Sequence, residues 1–342
     1  MTVVRDLVLA ILFSSAAAAP IVWAAVGEQE RPERPAPAPC LFAFLSNVEG
    51  DRELDSLRRA GRRVSVVAPN WYEADRRLRV SGGPPRSDVL RLARRNRSGV
   101  WPVVNARLGF ARVFSRGAQR KRAARALARL AASEGFDGIT LDLEEVRPSE
   151  RRAFSAFVRD LAGRLHRDGR RLAVYVPRRT AVGATRSSAA YDHRSLARHA
   201  DLVLASGYNE HFAGGEPGPI TTARGFRDVV RYAAEVSRSR VAPVLGAFGY
   251  SWPPDGGRAE LVASYEAQER RRGGRRSGGA VTYRRDGARV WYESSAGLAA
   301  RVRAARRERM RWVGLFSLGR EPAGAVARMR VSGRCRGWAR AD

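Results

Sequence analysis

Lysine is almost missing from this chain. Lys121 is the only one among 63 basic residues, and the rest are arginine. Such one-sidedness fits the codon bias of a GC-rich genome better than dozens of separately selected contacts. Histidine and cysteine are scarce too, with four and two in 342 residues. His166, His193, His199 and His211 are scattered and show no H-E-x-x-H or similar spacing, so no metal centre is expected, nor any cofactor. Helix-turn-helix, zinc-finger and RNA-recognition patterns are missing, which argues against nucleic acid as a partner despite the net charge of +29. No repeat at a solenoid period is found. A glycine-rich phosphate loop is also missing after the first apolar run, where the chain reads Ser46-Asn47-Val48-Glu49-Gly50.

What is present starts with an address. Arg5 precedes an apolar run from Leu7 to Val26, long enough to span a bilayer, within which Ala17 to Ala19 or Val22-Trp23-Ala24 would suit cleavage. Residues 1–26 are therefore expected to be a signal peptide or a membrane anchor, which places the rest outside the cytoplasmic membrane, secreted or tethered. Residues 27–39 are rich in proline and form a stiff, extended linker. A strongly basic protein outside the membrane would also cling to anionic cell-envelope polymers.

From residue 40 onwards, apolar runs of strand length alternate with Ala- and Arg-rich segments of helical spacing. Strands are expected at Leu41–Val48, Arg63–Pro69, Val100–Asn105, Ile139–Glu144, Leu172–Pro177, Leu202–Tyr208, Val241–Tyr250 and Trp312–Leu318. Eight such units in about 300 residues fit an α/β fold, the closed (β/α)8 TIM barrel. An open doubly wound sheet is the runner-up, weakened by the missing phosphate loop. The connection between strands seven and eight is too long. An α+β insertion at about 253–311 is expected there, with a helix near Glu260–Arg271 and a hairpin at Asp286-Gly287. It should form one wall of the substrate groove. Cys40 opens the first strand and Cys335 follows the last helix, so both lie at the bottom of a barrel. A Cys40–Cys335 disulfide is expected, with two unrelated buried thiols as the alternative.

The fourth strand carries the chemistry. In Phe136-Asp137-Gly138-Ile139-Thr140-Leu141-Asp142-Leu143-Glu144, side chains alternate. Ile139, Leu141 and Leu143 share one face; Thr140, Asp142 and Glu144 share the other. Two carboxylates aimed the same way at the end of an apolar strand are costly unless something uses them. Their Cα atoms are about 6.6 Å apart, side by side rather than on opposite sides of a sugar ring.

The stretch resembles the D-G-x-x-x-D-x-E signature of family 18 glycoside hydrolases, the chitinase-like enzymes. Further landmarks occur in that family's order. They are Asn70-Trp71-Tyr72, Ser206-Gly207-Tyr208-Asn209, Gly214-Gly215-Glu216-Pro217-Gly218, Gly249-Tyr250-Ser251-Trp252 and Val313-Gly314-Leu315-Phe316. Several are most similar to the spore-cortex and cell-wall peptidoglycan hydrolase branch. The resemblance covers about residues 40 to 330. It implies a glycosidase acting next to N-acetylglucosamine in peptidoglycan-like or chitin-like polymers, with the substrate's 2-acetamido oxygen as nucleophile. Glu144 would be the acid/base, Asp142 would hold the acetamido group and act on Glu144 by like-charge repulsion, and Tyr208 would bind the acetamido carbonyl. Asn209, Phe316, Trp71, Tyr250, Trp252 and Glu216 are the expected substrate-binding residues, and a monomer is expected. In two places the chain departs from the family. Thr140 stands where Asp or Asn is common, and Phe316 stands where Trp is usual. The alternative is a sugar-binding, lectin-like barrel with weakened catalysis; the retained Glu144 argues against it.

Overall fold

The computed structural model describes residues 36–107, 114, 116–181, 183–184 and 187–341. The expected apolar run and most of the linker lie outside the described residues. Eight parallel strands form a closed ring: Cys40–Leu45, Val64–Ala74, Val103–Arg107, Gly138–Glu144, Arg171–Val176, Leu202–Ser206, Val241–Gly246 and Trp312–Leu318. The first pairs with both the second and the eighth, so the ring has no open edge. Helices pack outside it, making a (β/α)8 barrel.

Strand alternation builds two apolar layers. Inward-facing Phe42, Val66, Val103, Ala173, Leu204 and Val244 fill the barrel. Outward-facing residues such as Leu41, Val67, Ile139, Leu141 and Val174 meet the helices. The helix Arg151–Arg167 shows why the helices sit where they do. Phe154, Phe157, Val158, Leu161 and Leu165 recur at three- and four-residue spacing and are fully buried, while its arginines face outward. The helices Ala223–Ser237 and Ser295–Arg307 start at Thr222 and Ser294, whose side chains accept from the N–H groups of Gly225 and Gly297.

The bottom of the barrel is closed by the C-terminal segment. Trp101 Nε1 donates to the carbonyl of Ala339 at 2.7 Å. Trp338 packs against Trp101 and Trp312, with ring centroids 5.8 and 5.3 Å apart. The Cys40–Cys335 disulfide clips this segment to the start of the first strand. Asp137 belongs to the same closure. Its carboxylate accepts from the backbone N–H groups of Val100 and Ala341, both at 2.8 Å. Gly138 follows because any Cβ there would meet the Arg171 carbonyl at 2.6 Å and the Trp101 ring at 2.9 Å.

The insertion differs from expectation in three respects. The expected seventh strand, Val241–Tyr250, is two strands. Val241–Gly246 stays in the barrel, and Phe248–Trp252 starts a five-stranded antiparallel sheet. Between them, Ala247 donates to the Phe316 carbonyl and accepts from the Ser264 N–H, which bends the chain out of the ring. The expected helix near Glu260–Arg271 is a strand over Glu260–Ala263 and a helix only over Ser264–Glu269. Pairing of Leu261 and Val262 with Tyr250 and Gly249 outcompetes helix formation there. Last, the helix Ser295–Arg307 belongs to the outer ring, so the insertion spans 248–293 rather than 253–311. The hairpin is as expected: Arg285 pairs with Ala288 around Asp286 and Gly287, both at positive φ.

Candidate active site

Thr140, Asp142 and Glu144 point into the barrel, one above another. Thr140 is fully buried, and its hydroxyl donates to the Trp101 carbonyl at 2.9 Å. Its one hydroxyl proton is therefore committed to the barrel backbone. Asp142 and Glu144 emerge at the C-terminal end, where barrel enzymes assemble their sites. They line a cavity of about 240 Å³ with Asn70, Asn105, Tyr175 and Tyr208. Its size suits one ring of a sugar chain, being below the roughly 300–1,000 Å³ of pockets that enclose drug-sized ligands. Asn105 lies directly across from Asp142 on the neighbouring strand.

Two tyrosines stand over the carboxylates. The hydroxyls of Tyr175 and Tyr208 are hydrogen-bonded to each other at 3.0 Å. Burial pushes both phenols above their usual range, and the neighbouring charges of Asp142 and Glu144 push the same way. Both therefore remain donors in any physiological range. Tyr191 supports the strand end from behind, donating to the Leu143 carbonyl at 2.7 Å.

An aromatic shelf forms the rest. Phe316 sits 5.6 Å from Phe44, 6.1 Å from Tyr208 and 6.2 Å from Phe248, centroid to centroid. Tyr250 closes the rim, with its hydroxyl 3.5 Å from Asn209 Oδ1. Asn209 adopts φ of 65°, which turns the chain sharply after the sixth strand. Of the insertion as expected, only Leu261 lines the cavity; Phe248 and Tyr250, which also line it, lie on the strand that starts the insertion sheet.

Three expected substrate-binding residues lie elsewhere. Trp71 faces the helix layer and packs on Phe136 at 6.0 Å. Strand parity explains it: Ala68 and Asn70 point inward and Trp71 outward. Trp71→Ala is therefore expected to cost about 3–5 kcal/mol of stability, as buried aromatics do, with KM unchanged. Urea unfolding beside steady-state kinetics checks this; a raised KM with normal stability would return Trp71 to the site. Trp252 is buried and its Nε1 donates to the Gly215 carbonyl at 2.8 Å, so it anchors a loop. Trp252 and Glu216 line a second cavity of about 590 Å³ with Phe212 and Arg258. The rings of Tyr250, which lines the first cavity, and Trp252, which lines the second, are 5.6 Å apart. Glu210, which also follows the sixth strand, pairs with Arg178 at 3.3 Å and accepts from Thr221 and Thr222, so it braces that loop.

Sequence reasoning missed Asn70, Asn105, Tyr175 and Phe44. Asn105, Tyr175 and Phe44 were visible as inward-parity residues within expected strands; Asn70 lay just past the expected second strand, which in the structure runs on to Ala74. Tyr191 left no such signal, because it reaches the site from an irregular segment. Among the described residues, no group of three or more acidic, histidine or cysteine side chains could hold a metal ion.

Comparison with known proteins agrees with this geometry. The pattern of glycosyl hydrolases family 18 matches residues 101–320. The chain is 23% identical over 281 residues to the uncharacterized glycosylase YvbX of Bacillus subtilis, covering 75% of this chain and 81% of that one. A cortical fragment-lytic enzyme of the same organism is 29% identical over 120 residues, covering 34% of this chain but 28% of its own length. Among solved structures, a chitinase from Chromobacterium violaceum superposes with a TM-score of 0.76 at 22% identity, covering 86% of this chain and 98% of that one. The spore cortex-lytic enzyme SleL of Bacillus megaterium gives 0.73 at 18% identity, covering 87% and 74%.

Proposed function

Since the chain belongs to glycosyl hydrolase family 18 and is a glycosidase, we propose that it is exported and cleaves β-1,4 links next to N-acetylglucosamine with retention. The observation that carries this is the placement of Asp142 and Glu144 on one strand face, under the Tyr175–Tyr208 pair. Carboxylates two residues apart on one strand approach a sugar from the same side. A two-carboxylate retaining enzyme needs its nucleophile on the other side, so the nucleophile must come from the substrate.

A 2-acetamido group is suited to that part. Glu144 protonates the leaving oxygen while the acetamido oxygen attacks the anomeric carbon, giving an oxazolinium ring. Asp142 holds the acetamido N–H, and the Tyr208 hydroxyl donates to its carbonyl. Water then opens the ring, giving its proton to Glu144. Phe316 and the neighbouring aromatic rings stack on the sugar face. Export is supported by the apolar run Leu7–Val26 and by the disulfide, which needs an oxidising compartment to persist.

The test is product analysis. The purified protein is incubated with peptidoglycan, with N-acetylglucosamine oligomers and with glucose oligomers of the same linkage, and products are read by mass spectrometry. Cleavage is expected only where the 2-acetamido group is present. Equal cleavage of glucose oligomers would rule out participation by the substrate.

A further inference from the structure

The insertion sheet does more than line part of the cavity. Directly opposed residues of an antiparallel sheet share a face. Leu261, Tyr250, Trp291, Thr282 and Arg275 form one such row across five strands. Trp252, Arg289 and Arg284 form the next row on the same face. The reverse face is occupied: Val262, Val281, Val290 and Tyr292 pack together with Ala267 of the short helix. Thus the face that meets the catalytic cavity at Tyr250 and Leu261 runs on, past Trp291, into a strongly basic surface.

There it forms a hollow of about 430 Å³ around Arg272, Arg275, Arg284 and Arg289, with Thr282 and Trp291 in its lining. All four arginines are exposed. No carboxylate lines the hollow, and among the described residues none of the four is in an ion pair. With 63 basic residues against 34 acidic ones, many exposed arginines of this protein lack a carboxylate partner; what distinguishes these four is that they gather around one hollow. The sequence neighbours Arg270 and Arg285 are paired with Glu266 and Asp286. Elsewhere Arg58, Arg79 and Arg120 are paired with Asp55, Asp75 and Asp160. Four like charges around one hollow repel each other unless anions fill it.

We propose that this hollow binds anionic substituents of the glycan, so that the preferred substrate is a charged N-acetylglucosamine-containing polymer rather than neutral chitin. The proposal rests on the glycosidase function above and specifies its substrate. Three strand spacings, about 14 Å, separate Tyr250 from Arg275, so the charge recognised sits on neighbouring units of the chain and not at the bond being cut. Guanidinium forks donate to carboxylate and phosphate oxygens alike. Peptidoglycan offers carboxylates on its peptides, and wall polymers attached to it offer phosphates.

Co-sedimentation with insoluble polymers tests this. The polymers are wall material with its phosphate polymers, the same material stripped of them, stripped material with its carboxylates amidated, and chitin. The test variant is Arg275→Gln/Arg284→Gln/Arg289→Gln. The control is Arg91→Gln/Arg94→Gln/Arg95→Gln, an equal charge change at exposed positions of the helix Ser87–Asn96. The hollow variant is expected to bind the anionic polymers on the order of tenfold more weakly and to lose much of the salt dependence, with chitin binding unchanged and the control within about twofold of wild type. Loss of wild-type binding on amidation assigns the hollow to carboxylates; loss on stripping assigns it to phosphates. An equal fall in both variants, or none in either, overturns the proposal. Turnover of short neutral oligomers should be normal in the hollow variant. Its absence in the wild type would count against the catalytic mechanism alone, since sedimentation decides the hollow.

Discussion

Glu144→Gln is expected to lower turnover by on the order of 10²–10⁴ while oligosaccharide binding persists. Glutamine keeps the shape and hydrogen-bonding reach of the side chain but cannot deliver a proton to the leaving oxygen. The surroundings should tolerate it, because Glu144 sits at the open end of the strand and Tyr191 holds the backbone there through Leu143. Asp142→Asn should cost less, since the amide still contacts the acetamido group but no longer balances the developing positive charge of the oxazolinium. Tyr208→Phe should lower kcat more than it raises KM if its bond to the acetamido carbonyl strengthens during attack. Steady-state kinetics on an N-acetylglucosamine oligomer, beside calorimetric binding, separates these effects. Wild-type turnover in Glu144→Gln would sink the mechanism. Absence of turnover in the wild type, with sugar binding retained, would favour a lectin-like barrel.

The second large effect concerns stability. Breaking the Cys40–Cys335 bond is expected to cost about 3–5 kcal/mol, because it closes nearly the whole folded chain into one loop. The sequence separation is 295 residues, with Cα atoms 6.0 Å apart. The bond also holds the segment whose Trp338 and Ala339 seal the barrel bottom against Trp101. Urea unfolding of Cys40→Ala/Cys335→Ala, with and without reductant, measures it. Reductant should bring the wild type down to the variant and leave the variant unmoved. Turnover at 25 °C should stay near normal, since the bond lies at the end of the barrel opposite Glu144. A wild type indifferent to reductant after denaturation and refolding would contradict the expected contribution.

Much of this protein can be read along the chain because a barrel strand is a local object. Alternation alone put Thr140, Asp142 and Glu144 on one face, and the run of eight strand–helix units implied closure. The same rule, applied further, would have brought Asn105 and Tyr175 to the cavity; placing Asn70 inward and Trp71 outward needed the second strand's extension to Ala74, which the expected strand did not include. The D-G-x-x-x-D-x-E stretch also divides in a way its spacing does not reveal. Asp137 and Gly138 serve the bottom closure, through Val100, Ala341 and the close approach of Trp101. Asp142 and Glu144 serve the cavity about 16–23 Å away along the strand.

Periodicity failed where local preference and long-range pairing compete. Glu260–Arg271 has a helical composition, yet its first four residues pair with Phe248–Ser251 as a sheet edge. Val241–Tyr250 reads as one apolar run, yet it divides at Ala247 because the carbonyl of Phe316 and the amide of Ser264 take its backbone groups.

By itself the sequence determined the strand faces and the barrel, put Asp142 and Glu144 on one inward face, and made a Cys40–Cys335 bond the expected pairing. These follow from two-residue alternation and from the ring closure it entails. Only the tertiary structure decided which aromatics line the cavity, which carboxylates are braces, and where four arginines gather on one sheet face. Those outcomes depend on bulges, on cross-strand register and on loops that fold over one another. Each is fixed by contacts between residues tens to hundreds of positions apart, which leave no periodic trace in the chain.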